Sequence, residues 1–442
     1  MANSKSSLID IIFRLKDISG ELGIIIAGKI LSLIFNILGL KWVTYLVEPT
    51  VFGQFTLILS YIFIIELLFG VLAQGIGRYY FLSKERKEYN ILKKVFYHFL
   101  KFIGLFAFFL SISIGMYQGS FLMGLMMFVF AIVSGVSNII SLIQNSERQR
   151  VIVSLHEMLD KVLKFGLAGI FILVLASSVK VLMLGYVVAV VIIACSQLYF
   201  YNKTIRLIFH KEEKDINYQK FSQYKNDILK YSTPFLVWTI FYWVQINSDK
   251  WLIDSYFSKK EVGLYQIINQ YGFQLINMAT GMLSLFMLPI LFKKATKIEE
   301  RDSIIESINL NNKVSKILFL LFLFFVPFTF LIHKTLFNIL VSPEFTTYSY
   351  LFPFMVFAGG CFAVAQLLST NYLISFSTKL LIAPKIFISI IGICVNLFCI
   401  KYYGLLGLVV GILLTNLIYL IWMFIGGIYL KRNIMKSSII IH

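Results

Sequence analysis

Residues 41–61 read KWVTYLVEPTVFGQFTLILSY, and residues 250–271 read KWLIDSYFSKKEVGLYQIINQY. Each opens on Lys-Trp, crosses a short polar turn, and reaches Val-Phe-Gly or Val-Gly with an aromatic residue soon after. A second echo pairs Gly185-Tyr-Val-Val-Ala with Gly407-Leu-Val-Val-Gly. Two matches in the same order on either side of the midpoint indicate that one unit has been duplicated.

The composition says what kind of unit it is. Of 442 residues, 59% are hydrophobic and 14% charged, against about 45–50% and 25% in an average soluble domain. A water-soluble fold is excluded. Twelve helices of roughly 20 residues, the length that crosses a bilayer, use about 240 residues and leave about 200 for connections. Apolar runs broken by charged or turn residues predict helices near 22–42, 54–77, 95–117, 121–144, 157–176 and 181–201. A second set follows near 233–256, 263–291, 317–338, 346–375, 384–400 and 404–430. Six is even, so the two copies share an orientation and form parallel repeats about an axis along the membrane normal. The expectation is an all-α polytopic membrane protein of about twelve transmembrane helices in two parallel six-helix repeats. The chain divides into an interfacial segment (1–21), an N-lobe (22–202), a linker (203–230), a C-lobe (231–430) and a tail (431–442). In the first segment Leu8, Ile11, Ile12 and Leu15 make one apolar face, and no cleavable signal peptide is read there.

Lys and Arg outnumber Asp and Glu by 40 to 22. In a soluble protein that excess would suggest nucleic acid, but here its distribution follows the spans. Of the 40 basic residues, 31 fall in the termini and the even-numbered connections, 7 in the opposite connections, and Lys29 and Lys101 inside helices. The bias places both termini and residues 203–230 in the cytoplasm. The outward connections are too short for a catalytic domain, so the helix bundle itself must carry the function. The four cysteines lie in apolar runs without ligand spacing and imply neither metal nor disulfide. Gly23-Ile-Ile-Ile-Ala-Gly28-Lys29-Ile30 imitates a phosphate-binding loop, but it has Ile30 where magnesium needs a hydroxyl, and no strand precedes it.

Charged and amide residues within the spans are the candidate sites, because lipid penalises them. Lys29 and Lys101 either snorkel to the headgroups or face a cavity and attract an anion. Arg78 ends the second span as an anchor or a further cation for that anion. Glu66, flanked by Ile and Leu, either pairs with Lys29 or couples transport to protons or sodium. Asp249, Lys250 and Asp254 lie toward the outer end of the seventh span, where water is near, as positioning groups or as contacts for substrate and ion. Gln266, Asn269, Gln270, Gln274 and Asn277 recur at three and four residues, a helical stripe that serves either interhelical bonding or a sugar-compatible cavity wall.

With these residues in view, SDKWLIDSYFSKKEVGLYQ resembles the signature at the seventh-to-eighth span junction of the Wzx-like polysaccharide flippases, a branch of the multidrug/oligosaccharidyl-lipid/polysaccharide exporter superfamily. VSPEFTTYSYLFPFMVFAGG resembles that family's entry to the tenth span, and VNLFCIKYYGLLGLVVGILLTNLIYLIW its closing pair of spans. After the Gly pair the chain has Leu-Val-Val-Gly where the family usually has small Ala residues. The resemblance covers essentially the whole chain. It implies a MATE/MOP-like, two-lobed flippase, not an enzyme, in the bacterial cytoplasmic membrane. Its cargo would be an undecaprenyl-diphosphate-linked oligosaccharide such as an O-antigen or exopolysaccharide repeat unit. Membrane lipid and other polysaccharide assembly proteins are the implied partners, nucleic acid is not, and no cofactor is needed beyond a proton or sodium coupling ion. Lys29, Lys101, Arg78 and Lys250 would meet the diphosphate, the five amides the glycan, and Glu66 or Asp249 the ion. The competing readings are a drug or organic-cation antiporter of the same superfamily and, in another class, a membrane polysaccharide polymerase or glycosyltransferase. Cation export predicts acidic cavities, and the polymerase predicts a long outward loop.

The charge bias generates a direct test. A cysteine introduced at Lys214 should resist a membrane-impermeant maleimide in intact cells and react after permeabilisation. Labelling from outside would overturn the topology.

Overall fold

The computed structural model describes residues 8–208, 218–295, 301–375 and 377–436. Helices α1 (Leu8–Leu46), α2 (Pro49–Glu85), α3 (Tyr89–Tyr117), α4 (Phe121–Ser146), α5 (Arg150–Val174) and α6 (Val179–Ile208) come first. Then follow α7 (Tyr218–Tyr256), α8 (Lys259–Asn269), α9 (Leu275–Lys294), α10 (Arg301–Leu340), α11 (Phe352–Ile374) and α12 (Ile382–Lys436). No strand occurs among the described residues. The apolar face read at Leu8–Leu15, residues 209–217 of the linker and the end of the tail lie outside the described side chains or residues.

Every predicted span coincides with a helix, although two pairs of elements differ in how they are joined. The eighth span is α8 and α9 continued through a π-turn at Gln270–Gln274. The eleventh and twelfth spans are one helix interrupted at Gly404, whose φ of 64° and ψ of −149° break the helical path; only glycine takes such a backbone conformation cheaply. Among the described residues nine helices are long and apolar enough to cross a membrane. α5 and α7 are not among these nine: Glu157, Asp160, Lys161 and Lys164 charge α5, whereas residues 231–248 of α7 carry no charge but are diluted by polar side chains such as Ser232, Thr239, Gln245, Asn247 and Ser248.

The chain forms two compact units, one of residues 1–46 and 61–236, the other of 47–60 and 237–442. In the first, α1 and α6 pack on α5, and α4 packs on α3 and α6. In the second, α11 is the centre. Buried on nearly all faces, it contacts α10, α12, α9 and the π-turn. Large apolar side chains such as Phe102, Leu105 and Phe109 on α3 and Phe324 and Leu331 on α10 stay exposed. In a bilayer these outward faces meet lipid, which is as apolar as a protein core.

The duplicated glycines explain the repeat physically. A Cβ on Gly53 would lie 1.8 Å from the Lys259 carbonyl oxygen, and one on Gly263 would lie 2.0 Å from the Pro49 carbonyl oxygen. The two copies of the motif thus cross backbone to backbone, reciprocally, inside the second unit. The second echo behaves alike. Gly185 approaches the Ala168 backbone of the preceding span, and Gly407 approaches the Cys399 carbonyl of its own preceding span. Small residues at helix crossings let backbones come close enough for dispersion and weak hydrogen bonds to act where lipid supplies no hydrophobic drive.

Gly53→Ala and Gly263→Ala should therefore each cost about 1–3 kcal/mol of stability in detergent, the usual range for forced overpacking. Gly70→Ala, where no atom lies within 4 Å, should change stability by about 0.5 kcal/mol or less. Equal melting of all three variants would remove the crossing as the reason for the motif.

Candidate functional site

In the first unit the end of α4 builds an open cleft. Asn138, Ser141 and Asn145 recur at helical spacing on one face, and Ser146, Arg148 and Arg150 extend that polar side around about 550 Å³, with Phe81 and Leu142 as apolar walls. Arg148 takes a φ of 60°, which ends α4 with bonds from Arg148 N to Asn145 O and from Gln149 N to Gln144 O. Glu147, the nearest carboxylate in sequence, accepts from Tyr80 at 2.9 Å and from Lys84 at 2.6 Å. Among the described residues neither arginine has an ion-pair partner. Two guanidinium groups beside amides and hydroxyls make a surface suited to a phosphate with an attached sugar.

The four predicted headgroup cations do not assemble there. Lys29 pairs with Glu157 at 2.8 Å, a half-exposed bridge of the kind worth about 1 kcal/mol or less. Its expected pairing with Glu66 is therefore not found. Glu66 instead accepts a 2.5 Å bond from Ser134, and its charged neighbours are Lys164, Asp160 and Lys161 of α5. These charges recur on α5 with Glu157 at i, i+3, i+4 and i+7, a spacing that puts them on one helix face. Arg78 lies 4.8 Å over the Tyr231 ring. Lys101 lines a separate cleft of about 330 Å³ with Lys94, Tyr97, His98, Tyr218 and Phe221.

In the second unit Lys250 donates to Asn247 at 3.1 Å, and Asp249 accepts from Tyr265 and from the Lys250 backbone. Both side chains are buried, not near water as their place at the end of a span suggested; Tyr265 and amides of neighbouring helices surround Asp249. A cavity of about 30 Å³ joins Asp249 and Tyr265 to Gln245, Asn269, Gln274 and Asn416. Asp254 stays exposed. The five-residue amide stripe is broken. The π-turn adds a residue to the turn, so Asn269 and Gln274, five apart, share this wall, whereas Asn277 turns back to the Phe273 carbonyl. Gln266 and Gln270 are not among the cavity's walls. Glycine permits the distortion: a Cβ on Gly272 would lie 2.8 Å from Met355 Cβ of α11. Such turns recur at functional sites.

In the count of basic residues Lys385 belongs, with Lys379, to the cytoplasmic connection 377–385. It is 3% exposed, because α12 begins before it and carries it into the core of the second unit. Its Nζ lies 4.7 Å from the Tyr419 ring centre, 5.0 Å from Phe362, 5.6 Å from Tyr242 and 5.8 Å from Trp238. Cation–π contacts are worth about 0.5–2 kcal/mol each, and removing an ion from water costs several, so the cage offsets much of that cost. No spacing rule signals such a cage, whose members lie on three different helices.

The fold has solved counterparts. The inward-facing conformation of a multidrug resistance MATE family transporter of the MOP superfamily matches with a TM-score of 0.67 at 14% identity, over 95% of this chain and 100% of the other. The chain has the MATE/MOP transporter fold. A MOP superfamily transporter from Pyrococcus furiosus, in which reversed polarity of the binding pocket suggests a different function, matches with a TM-score of 0.59 at 15% identity over 95% of each chain. The lipid II flippase MurJ, inward closed, matches at 0.66 and 11% identity over 94% of this chain and 90% of that one. These counterparts are transporters and a flippase, not enzymes. Likeness at such identities is one of fold, and it agrees with the helices above in making this a multi-pass membrane protein. No family's sequence profile matches the chain, and no curated protein matches it.

The wall of the Lys101 cleft is fixed outside the spans by Glu88, which accepts from Lys220 at 2.6 Å and Tyr224 at 2.8 Å. Burial pushes the Glu88 carboxyl up, but the bonds from Lys220 and Tyr224 outweigh it and hold the carboxyl below the usual glutamate range. Burial and the same contact push the Tyr224 hydroxyl up to about 12. A lowered carboxyl stabilises the fold above its unfolded value of about 4.3 and loses that contribution as pH falls through the folded value. Wild type in detergent should thus lose melting temperature more steeply below about pH 5 than Glu88→Gln does. Parallel acid profiles would show the contact to be without weight.

Proposed function

We propose that the protein flips an undecaprenyl-diphosphate-linked oligosaccharide from the cytoplasmic to the outer leaflet of a bacterial inner membrane by alternating access. The observation that carries this reading is the cleft of Asn138, Ser141, Asn145, Arg148 and Arg150, whose two guanidinium groups have no ion-pair partner among the described residues, beside amides and hydroxyls. A diphosphate is anionic, a glycan offers hydroxyls to amides, and a polyprenyl tail can remain in lipid, so one surface accommodates the polar end of the molecule. The basic and aromatic cleft at Lys101 supplies further positive charge on the same unit. The fold shared with a lipid II flippase supports the substrate class without specifying the glycan. Coupling to protons or sodium through Glu66 or Asp249 completes the proposal, each carboxylate being held by a hydroxyl donor, Ser134 or Tyr265.

Export of organic cations is the weaker reading, because the large clefts at Arg148 and Lys101 have no carboxylate in their walls. Metal-assisted chemistry has no cluster of ligands to use among the described residues.

Each charge-assisted hydrogen bond to phosphate contributes about 1.5–3 kcal/mol, which is about 10–150-fold in affinity. Arg148→Gln and Arg150→Gln should each reduce glycan export by that order at normal protein levels, and lipid-linked intermediates should accumulate on the cytoplasmic side. Lysine at either position should restore part of the activity as a point charge. Normal export by the double glutamine variant would remove the cleft from the mechanism.

A further inference from the structure

Lys385 is not used by the reading above. Its Nζ is buried with no hydrogen-bond acceptor among the described residues, and no carboxylate among them forms an ion pair with it or acts on it electrostatically. α7 presents Trp238 and Tyr242 to it, α11 presents Phe362, and the second arm of α12 presents Tyr419. Tyr372 of α11 lies in the same core cluster. Among the described residues the titratable groups around the amine are therefore three tyrosines, and no described charged side chain joins them. Lys385 also stands in the first turns of α12, which starts at Ile382, where the helix dipole opposes a positive charge. Aromatic faces favour the ammonium, while the dipole and the dry surroundings favour the neutral amine.

Two small cavities adjoin this cage. Phe362 belongs both to the cage and to the wall of the 30 Å³ cavity that holds Asp249. Ser389, which donates to the Lys385 carbonyl at 2.8 Å, lines a second cavity of about 20 Å³ with Gln245, Asn396 and Asn416. Each has room for about one water molecule, and the amide oxygens of Gln245, Asn396 and Asn416 have no protein donor among the described residues. A phosphate does not fit in such volumes, whereas a proton passed along water does.

We propose that caged Lys385 is a proton-binding site of the second unit, exchanging one proton between Nζ and water in the adjoining cavities. The ammonium gives its proton to water and keeps the electron pair as a neutral amine; no other bond changes. This goes beyond the carboxylate candidates Glu66 and Asp249, and it assigns the coupling or regulatory proton to a cation rather than an acid.

Trp238 is part of the cage and reports on it. The full-length protein in detergent is titrated from about pH 5 to 10 while tryptophan fluorescence is recorded. Wild type should show a one-proton transition that is absent from Lys385→Met and Lys385→Gln and unchanged in Lys431→Met, a control on the surface end of α12. Two neutral replacements guard against one of them failing to fold, and monodispersity by size exclusion identifies the usable variant. A transition that persists in the neutral variants belongs to the tyrosines and overturns the proposal. A wild-type chain with no transition overturns it as well. The measurement uses no glycan, so neither result bears on the flippase reading.

Discussion

The second unit depends on a contact that has no side chains in it. Where α2 and α8 cross, Gly53 faces the Lys259 carbonyl and Gly263 faces the Pro49 carbonyl at distances that leave no space for a methyl group. In water, burying a few leucines would hold two helices together. In lipid that drive is absent, because a leucine tail is no happier against protein than against acyl chains. What remains is backbone approach, and it requires glycine on both partners. The duplicated motif has kept its glycine in each copy, at equivalent points, and this is the part of the repeat under physical constraint. The residues around it, Thr-Tyr-Leu in one copy and Ile-Asp-Ser in the other, were free to diverge.

Once the helices are set, the charges within the spans decide what the interior does, and the protein handles them in three different ways. Lys29 and Glu157 form a pair across α1 and α5. Glu66 and Asp249 are each held by a hydroxyl donor from another helix or another turn. Lys385 has neither and is surrounded by rings. A paired charge is locked, since losing its partner leaves an uncompensated ion, typically a loss of about 3–5 kcal/mol where the pair is buried. A carboxylate held by hydroxyls keeps its acceptor capacity whether it is ionised or protonated. A caged amine has no partner to lose. The groups able to change state are therefore those outside the ion pairs, and such groups are the ones a transport cycle can use.

The fold was largely legible because hydrophobic length, loop charge and the repeat are one-dimensional signals. Each can be read along the chain without knowing which helix touches which. Counting charges along the chain misled at Lys385, since a lysine just beyond a loop looks the same whether its helix turns it outward or into the core. The amide stripe of Gln266 to Asn277 failed for a different reason. A strict 3.6-residue period assumes an unbroken helix, and the π-turn at Gln270–Gln274 re-aims whatever follows it. Gly272 and Gly359 were visible in the sequence, but that they let α11 approach closely enough to hold this turn is a fact of packing. The Arg148 cleft was legible in part. Asn138, Ser141 and Asn145 lie on one face, and only the left-handed turn at Arg148 brings the arginines beside them.

These failures share a cause that bears on function. Sequence periodicity locates groups on a face, whereas transport chemistry depends on groups drawn from several helices to one point. The Lys385 cage takes rings from α7, α11 and α12, and the cavity beside it takes amides from α7, the end of α8, the π-turn and α12. A site assembled in this way responds to any relative shift of its helices, because moving one wall changes the electrostatics at the centre. A site on one helix would move as a body and feel nothing. Convergent sites are hard to read from sequence for the same reason that they can couple protonation to helix movement: their chemistry is a property of the arrangement and of no single segment.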